Sequence, residues 1–260
     1  MATYNISFIG AGNVAESLAV GLLAAGHRIV SVSSRNGVTA EALAERTGAE
    51  FRRDMVVPEE CDLLLISVTD TAVPLVAAGV LVPGHTVIAH TAGSVPLSAL
   101  GRTSGAGVLY PLQTFTKAFP PDLRKVPFFI EATDSRTLQV LRETGESIGA
   151  GAWECDSQKR RQLHVAAVFT NNFSNFMMTT GEAVAREAGI DPALLRPLME
   201  ETVRKAVRTG PEAAQTGPAV RHDTGTVKSH IELLSFSPQY QKLYRLVSRM
   251  ITGHYSKKRK

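Results

Sequence analysis

The distribution of apolar residues divides the chain into two parts. In the first part, up to about residue 156, short apolar runs alternate with stretches of helical periodicity. The run at 62–68 is almost continuously apolar, as in a parallel strand that is covered on both faces. Strands are predicted at 5–9, 29–33, 62–68, 86–89, 108–110, 128–131 and 152–154, and helices at 13–25, 38–47 and 135–148. This alternation predicts an α/β fold with a doubly wound, mostly parallel sheet.

The second part shows helical periodicity and no strand pattern. Helices are predicted at 158–188, 192–208, 224–234 and 238–252. Asp191 is a suitable N-cap because Pro192 follows it at the first helical position. We therefore predict a Rossmann dinucleotide-binding domain at 1–156, an all-helical substrate and dimerisation domain at 157–254, and a basic tail at 255–260.

The charge and the cysteines narrow the classes of partner. The 28 basic residues exceed the 24 acidic ones by four, and residues 257–260 are all basic, so the rest of the chain is formally neutral. A neutral body argues against nucleic-acid binding, and no apolar stretch is long enough to predict a membrane helix. Cys61 and Cys155 form no CxxC pair, and no spacing of His and carboxylate residues predicts a metal site. With no signal-peptide pattern at the start, we expect a cytoplasmic protein without a metal.

A glycine-rich turn follows the first predicted strand and opens the first predicted helix. Residues 10–15 read GAGNVA, which fits the G-x-G-x-x-A pattern of dinucleotide-binding turns. Gly10 permits the tight turn, Gly12 lets the backbone approach a diphosphate, and the helix N-terminus offers unpaired N–H groups to the anion. We predict that this turn binds a dinucleotide through Gly10, Ala11, Gly12, Asn13 and Val14. The alternative is a glycine turn without a ligand.

The end of the second predicted strand distinguishes NADP(H) from NAD(H). NAD sites usually place Asp or Glu there, to bind the ribose 2′-hydroxyl. This chain has Ser33, Ser34 and Arg35 instead. A guanidinium can make charge-assisted hydrogen bonds to a 2′-phosphate, so Ser34 and Arg35 predict NADP(H). The alternative is that Arg35 belongs to a surface loop without a ligand.

Three segments follow the carboxyl ends of further predicted strands, where ligands bind in such sheets. They are 67–70, 90–93 and 110–115. From these segments we predict cofactor contacts by Val68, Thr69, Asp70 and Thr91, and substrate contacts by His90 and Gln113. His90 and Tyr110 are also able to donate a proton, although either can instead be a buried structural residue.

The segments GAGNVAESLAVGLL, HTAGSVPLSAL and VLYPLQTF together resemble pyrroline-5-carboxylate reductase and its relatives, among them NADP oxidoreductases with a deazaflavin partner. The C-terminal half lacks the serine- and glycine-rich segment of the pyrroline-5-carboxylate enzyme, which argues against a role in proline biosynthesis. Through HVAAVFTNNF and QTGPAVRHD it resembles two-domain Rossmann-like bacterial proteins whose C-terminal domain is largely uncharacterised. The resemblance implies an NADP(H) cofactor and a helical domain like that of 6-phosphogluconate dehydrogenase.

Polar residues of the helical part supply the remaining candidates. Projected on an α-helix, residues 162–180 carry His164 and Asn171 on one side, with Asn172 beside them and a Phe and Met stripe opposite. His164 is a candidate acid and the amides are candidate ligands of a developing alkoxide, while the alternative is a structural histidine. In related β-hydroxyacid dehydrogenases the corresponding helix carries the proton donor.

The loop 215–223 offers a second group of candidates. Thr216 and Arg221 are candidates to bind a substrate carboxylate, and Asp223 either orients Arg221 or caps the next helix.

The glycine turn, the strand ends and these polar residues together predict an NADP(H)-dependent reductase of a small oxo acid, ketopantoate-like compounds included, or of a cyclic imine acid. The alternative is a non-catalytic NADP(H)-binding or redox-sensing module. The apolar stripe on the long helix predicts a homodimer.

Overall fold

The structure, a computed structural model, describes residues 2–256. The chain divides into two compact units, residues 1–171 and 172–260. The first unit ends later than the predicted domain at 1–156, and it includes the first helix after the sheet. Of the predicted basic tail, residues 255–256 end the last helix and residues 257–260 lie outside the described part. No helix within 2–256 is both long and apolar enough to cross a membrane.

The first unit is built on one eight-stranded sheet. Its strands are β1 (Asn5–Ile9), β2 (Arg28–Ser33), β3 (Glu50–Arg52), β4 (Leu63–Ile66), β5 (Val87–His90), β6 (Ala106–Pro111), β7 (Pro127–Ala132) and β8 (Gly151–Glu154). Their spatial order is β3-β2-β1-β4-β5-β6-β7-β8. All neighbours are parallel except β6 and β7. The predicted Rossmann sheet is thus confirmed, with β3 as a short polar edge strand that the apolar pattern did not reveal.

Helices pack on both faces of this sheet through apolar side chains. They are α1 (Asn13–Ala24), α2 (Gly37–Thr47) and α4 (Ser135–Ile148) on one core and α3 (Val73–Gly79) on the other. A polar helix, α5 (Ser157–Ala167), follows the last strand, and its buried residue is Arg160. Side chains alternate along β4, so that Leu63 and Leu65 belong to one core and Leu64 and Ile66 to the other. Two buried faces explain why this strand reads as a continuous apolar run, because neither face is in contact with water.

The second unit is helical, as predicted. It follows a π-helical turn, Val168–Phe173, that interrupts the long helix predicted at 158–188. Its elements are α6 (Ser174–Glu187), a 3₁₀ turn (Pro192–Leu195), α7 (Arg196–Thr209), α8 (Pro211–Ala214), α9 (Thr224–Leu233) and α10 (Pro238–Ser256). Among its described residues only Ala185, Ala219 and Leu234 are buried. Three small or medium side chains do not form a core of the usual size for a domain.

Candidate active site

The glycine turn after β1 has the geometry that a diphosphate requires. Gly10 has φ +110°, and a Cβ there would lie 2.2 Å from the main-chain oxygen of Ser67. Only glycine fits that position. Gly12 precedes α1 as an extended N-cap, makes no side-chain capping bond, and has no atom within 4 Å of an added Cβ. The space beside Gly12 at the N-terminus of α1 is therefore open, and a helix N-terminus favours an anion.

The end of β2 keeps the features on which the cofactor preference depends. Ser33 is buried, Ser34 is half-buried and Arg35 is exposed just beyond the strand. On the neighbouring β3, Arg52 lies beside Ser33 and forms ion pairs with Glu50 and Asp54. Arg52 is thus occupied by carboxylates, whereas Arg35 is the cation that the strand end itself presents.

Hydrogen bonds join the segments after β4 and β5, which the sequence placed at the same edge of the sheet. The Ser67 Oγ and Thr91 Oγ1 atoms lie 3.1 Å apart, and Ser94 donates a short hydrogen bond to Asp70. Val68 and Thr69 lie between these contacts on the same segment as Asp70. The structure thus brings the predicted cofactor residues of the two loops together.

A tyrosine and a histidine meet beside the loop that follows β5. Tyr110, on β6, and His164, on α5, are linked by a 3.1 Å hydrogen bond between the tyrosine hydroxyl and Nδ1, with their rings at 70°. Gly93 makes this contact possible, because a Cβ there would lie 2.7 Å from Nδ1 of His164 and 2.8 Å from two ring atoms of Tyr110. We call Gly93, Tyr110 and His164 the dyad site.

The two residues of the dyad differ in their exposure. The ring of Tyr110 is buried, and burial raises the pKa of its hydroxyl. The charge of Arg160 opposes this rise in the pKa, and the charge of Asp70 adds to it. His164 is half-buried and therefore still reaches solvent. A buried hydroxyl in contact with a solvent-accessible imidazole is an arrangement that can pass a proton inward.

His90 lies behind the loop, away from solvent. It is fully buried, and its Nδ1 accepts a hydrogen bond of 3.2 Å from the Ala92 N–H. Burial, helped by the charge of Arg160, lowers the pKa of His90 to about 4. The neutral ring therefore holds the loop through its hydrogen bond with Ala92. The sequence analysis predicted His90 as a substrate contact instead.

Three predicted residues, Gln113, Asn171 and Asn172, are exposed, and Asn172 is the first residue of the second unit. Gln113 is exposed, and its Oε1 accepts a hydrogen bond of 2.8 Å from the next main-chain N–H, that of Thr114. Asn171 and Asn172 are exposed in the π-helical turn. That turn invalidates the α-helical projection beyond Val168, because a π turn takes in more residues than an α turn. Such turns are frequent at functional sites.

The loop before α9 belongs to the helical unit. Asp223 caps α9 by accepting bonds from the N–H and the hydroxyl of Thr226, at 3.0 and 2.7 Å. These bonds, with help from the charge of Arg221, hold the pKa of Asp223 below its ordinary value. Thr216 lies in the same loop. Asp223 thus performs the capping role that the sequence left open, and its role toward a substrate stays a prediction.

Sequence reasoning missed part of the dyad site. Tyr110 was one of two possible donors, but nothing in the sequence paired it with His164, which lies 54 positions further on. The signal that was available is Gly93, a glycine three residues after a buried strand. No group of three or more His, Cys, Asp and Glu side chains within residues 2–256 is arranged to hold a metal ion.

Two families of known proteins match the chain. Residues 5–93 match the family described as "NADP oxidoreductase coenzyme F420-dependent", and residues 126–251 match the "Domain of unknown function (DUF2520)". The first match contains the glycine turn, and the second contains His164. No curated protein is similar enough to count as a match.

Solved structures show the same architecture. Protein BF3122 from Bacteroides fragilis, described as a "putative NADP oxidoreductase", is 35% identical with a TM-score of 0.86, over 96% of this chain and 98% of that one. A pyrroline-5-carboxylate reductase from Coxiella burnetii is 19% identical with a TM-score of 0.57, over 98% of each chain. A reductive aminase from Aspergillus terreus, in complex with NADPH and ethyl-5-oxohexanoate, is 18% identical with a TM-score of 0.67, over 96% and 94%. The last two likenesses show the fold alone.

The fold and these matches define the chain as a Rossmann-type NADP oxidoreductase. It belongs to the family of NADP oxidoreductases that includes the Bacteroides fragilis protein. In this chain an N-terminal match to the NADP oxidoreductase family is followed by a match to DUF2520. The resemblance to relatives of pyrroline-5-carboxylate reductase is thereby confirmed.

Proposed function

We propose that this protein uses NADPH to reduce a small oxo acid or a cyclic imine acid, with Tyr110 and His164 as the proton-transfer pair. The observation that carries the proposal is the hydrogen bond between their side chains, at the carboxyl edge of a dinucleotide-binding sheet. The family membership supports reductase chemistry, and the imine and carbonyl chemistry named for the low-identity neighbours supports the substrate class.

The chain's own residues fit the cofactor. Gly10 permits the tight turn against Ser67, and Gly12 leaves open space for a diphosphate. Arg35 offers a guanidinium to a 2′-phosphate. When bound, NADPH supplies a hydride from its nicotinamide ring. A neighbour solved with NADPH, the reductive aminase, supports the same cofactor here. We therefore propose NADP(H) and not NAD(H) as the cofactor. The name of the first matching family is also compatible with a deazaflavin as redox partner.

The dyad would then supply the proton. A carbonyl that receives a hydride becomes an alkoxide, which a positioned acid must protonate. Tyr110 donates its hydroxyl proton and His164 returns one to it, because the imidazole reaches solvent and the phenol does not. The predicted ligands of the substrate, or of the charge that develops on it, remain Gln113, Asn171, Asn172, Thr216 and Arg221.

Turnover measurements test the proton-transfer pair. NADPH oxidation is followed with a panel of oxo acids and cyclic imines, for the wild type, Tyr110→Phe and His164→Ala. We expect each substitution to lower kcat by about 100-fold or more, the usual contribution of a general acid. The matched control is a second Tyr and His pair, His230 and Tyr244, which are hydrogen-bonded at 2.7 Å in the helical unit. Tyr244→Phe should retain nearly full turnover.

Three other outcomes count against the pair or the enzyme. Equal losses in Tyr110→Phe and Tyr244→Phe would show that the first substitution acts through stability. Full turnover by Tyr110→Phe would exclude Tyr110 as the acid. Tight NADPH binding by the wild type with no turnover on the whole panel would favour the non-catalytic NADP(H)-binding module.

Binding measurements test the cofactor preference separately. Arg35→Ala should weaken NADP(H) by 10-fold or more and NAD(H) by less than 2-fold, since only NADP(H) carries the 2′-phosphate; about 1.4 kcal/mol corresponds to 10-fold. The control is Arg28→Ala, an exposed arginine at the opposite end of the same strand. Equal losses of both dinucleotides in Arg35→Ala would contradict the 2′-phosphate assignment.

We also propose that the protein is a homodimer through its helical unit. Large apolar side chains are exposed on several of its helices, and they include Phe173, Phe176, Leu198, Val207, Leu246 and Met250. Because only three of its described residues are buried, this unit needs another surface to cover its apolar side chains, and a second copy offers the same apolar helices. Sedimentation should give twice the monomer mass at micromolar concentration. A monomer that melts cooperatively at those concentrations would contradict the proposal.

A further inference from the structure

A fully buried arginine lies at the start of α5. Arg160 has no solvent exposure, and its guanidinium pairs with Glu131 of β7 through a short hydrogen bond. Its Nε–H finds no acceptor among the described residues. Burying a charge is unfavourable even when it is paired, and replacing a buried ion pair with apolar residues is often harmless or stabilising. The presence of this pair is therefore poorly explained by stability alone.

Arg160 also contacts the loop that follows β5. Its Nη2 donates to the main-chain oxygen of Val95 at 2.6 Å and to Ser157 Oγ at 3.2 Å. The Ser157 hydroxyl donates to Glu131 at 2.7 Å and accepts from the N–H of Leu97 at 2.9 Å. The guanidinium, the carboxylate and the hydroxyl thus hold the loop at both residue 95 and residue 97.

These contacts join the three elements that form the dyad site. Val95 and Leu97 continue the loop that contains Gly93. Glu131 lies on β7, the strand that pairs with β6 and therefore with Tyr110. Arg160 is one helical turn before His164 on α5, and residues four apart lie on the same face of a helix. A single guanidinium therefore connects the glycine loop, the strand next to the tyrosine strand, and the helix of the histidine.

We propose that Arg160, paired with Glu131, is a positioning residue that holds the loop 91–97 and α5 in register, so that Gly93, Tyr110 and His164 meet. The inference rests on the proposed function, because the dyad is the machinery that is positioned. The hydrogen-bond partners of the Arg160 guanidinium are Glu131, Val95 and Ser157, so Arg160 acts on Tyr110 through the loop and through its charge.

The electrostatic direction agrees with this role. The charge of Arg160 lowers the pKa of Tyr110 against the effects of burial and Asp70, so it favours the phenolate that is left after proton donation. The same charge lowers the pKa of His90 beneath the loop. Arg160 would thus keep His90 neutral while it assists Tyr110.

Hydrogen–deuterium exchange tests the positioning directly and needs no substrate. In Arg160→Met and Arg160→Lys we expect the amide of Leu97 and its neighbours in 91–97 to exchange at least 10-fold faster than in the wild type. Lysine keeps the charge but places its donors on one nitrogen, which does not match the contacts made by Nη1 and Nη2, so it should not restore protection. The loops at 10–14 and 34–36 should exchange as before, and the Kd for NADPH should change by less than about 3-fold. With substrate, kcat should fall at least 10-fold.

The matched control is another arginine of the first unit that bonds a carboxylate and a main-chain oxygen. Arg142 contacts Glu154 and the oxygen of Ala152, both on β8, and makes no hydrogen bond to the loop 91–97. Arg142→Met should leave the exchange of 91–97 and kcat unchanged. Should Arg160→Met fail to fold, Arg160→Lys and Glu131→Gln still decide the question, because each weakens the same contacts more mildly.

Unchanged exchange at 91–97 in every Arg160 and Glu131 variant would overturn the inference. So would losses of kcat that are equal in Arg160→Met and Arg142→Met. Absence of turnover or of NADPH binding in the wild type would instead refute the proposed function, and the exchange data would still report whether Arg160 braces the loop.

Discussion

Gly93→Ala is the substitution that addresses the dyad site most directly. Its backbone lies outside the left-handed region, so alanine causes no conformational strain there. The new Cβ would lie 2.7 Å from Nδ1 of His164 and 2.8 Å from Cε2 and Cζ of Tyr110. Real Cβ contacts are longer than 3 Å, so the two rings must separate. The methyl group would occupy the space that the hydrogen bond between the rings now needs.

The size of the effect follows from two contributions. Forcing a methyl group into a packed site costs about 1–3 kcal/mol, and the half-buried ring of His164 can move, which favours the lower end. Loss of the hydrogen bond adds about 1 kcal/mol. Together they give about 2 kcal/mol, which lowers the Tm by roughly 4–8 °C at the usual 2–4 °C per kcal/mol for domains of this size. We expect kcat to fall about 100-fold, since the acid loses its partner.

The assay compares Gly93→Ala with Gly84→Ala. An added Cβ at Gly84 meets no atom within 4 Å, so that variant controls for the change of residue type. Denaturant unfolding gives the stability loss, and NADPH oxidation gives kcat. If Gly93→Ala retained the kcat and the Tm of Gly84→Ala, the rings of Tyr110 and His164 would not be in contact beside Gly93, and the dyad would lose its geometric basis.

Three further predictions concern the turn, the buried histidine and a helix cap. Gly12→Ala should reduce NADPH affinity more than 10-fold and lower stability by at most about 1 kcal/mol, because the new Cβ enters only the space predicted for the diphosphate. Isothermal titration measures the affinity and denaturant unfolding measures the stability. Unchanged affinity would contradict the predicted role of the turn. The pKa of His90 is lowered to about 4 from 6.5, so the unfolded chain binds the extra proton first, and stability should fall by about 3 kcal/mol as the pH drops from 6.5 to 4. Unfolding of His90→Gln across that range should show a flatter slope than the wild type and than His85→Gln, and identical slopes would refute the shift. Asp223→Asn should keep the cap of α9 and hence the Tm, so a loss of substrate affinity in this variant would reveal a role for the charge itself.

The sheet was predictable from the sequence because its signals are local. The apolar run at 62–68 and the glycine turn at 10–15 each report on a few neighbouring residues, and β4 and the turn before α1 confirm them. The short strand β3 was not predictable, since three residues with two charges carry no apolar pattern. The π-helical turn was equally hidden, because the apolar periodicity around it still resembles an α-helix.

The residues of the candidate site also differ in whether neighbouring residues in the sequence are enough to predict them. The predicted cofactor contacts depend on main-chain geometry close to Gly10 and Gly12, so a local sequence pattern is enough to predict them. The dyad depends on a contact between Tyr110 and His164, which come from a strand and a helix separated by β7, α4 and β8. Arg160 is the extreme case, because a buried charge is rare and a sequence gives no sign of which arginine is buried. Contacts of this kind are visible only once the chain is folded.

The dyad also makes a prediction about which substrate class it suits. A carbonyl that accepts a hydride needs a proton on its oxygen, whereas a protonated imine becomes a neutral amine without one. If the protein reduces both classes, Tyr110→Phe should lower kcat for an oxo acid by about 100-fold or more, within the range of general acid catalysis, and kcat for a cyclic iminium by much less. Rates for the two substrates, measured with wild type and Tyr110→Phe at a pH where the imine is protonated, give the comparison. Equal losses of kcat for both substrates would mean that Tyr110 shapes the site instead of donating the proton. A large loss of kcat for the oxo acid alone would show that the tyrosine and histidine pair is needed for carbonyl reduction.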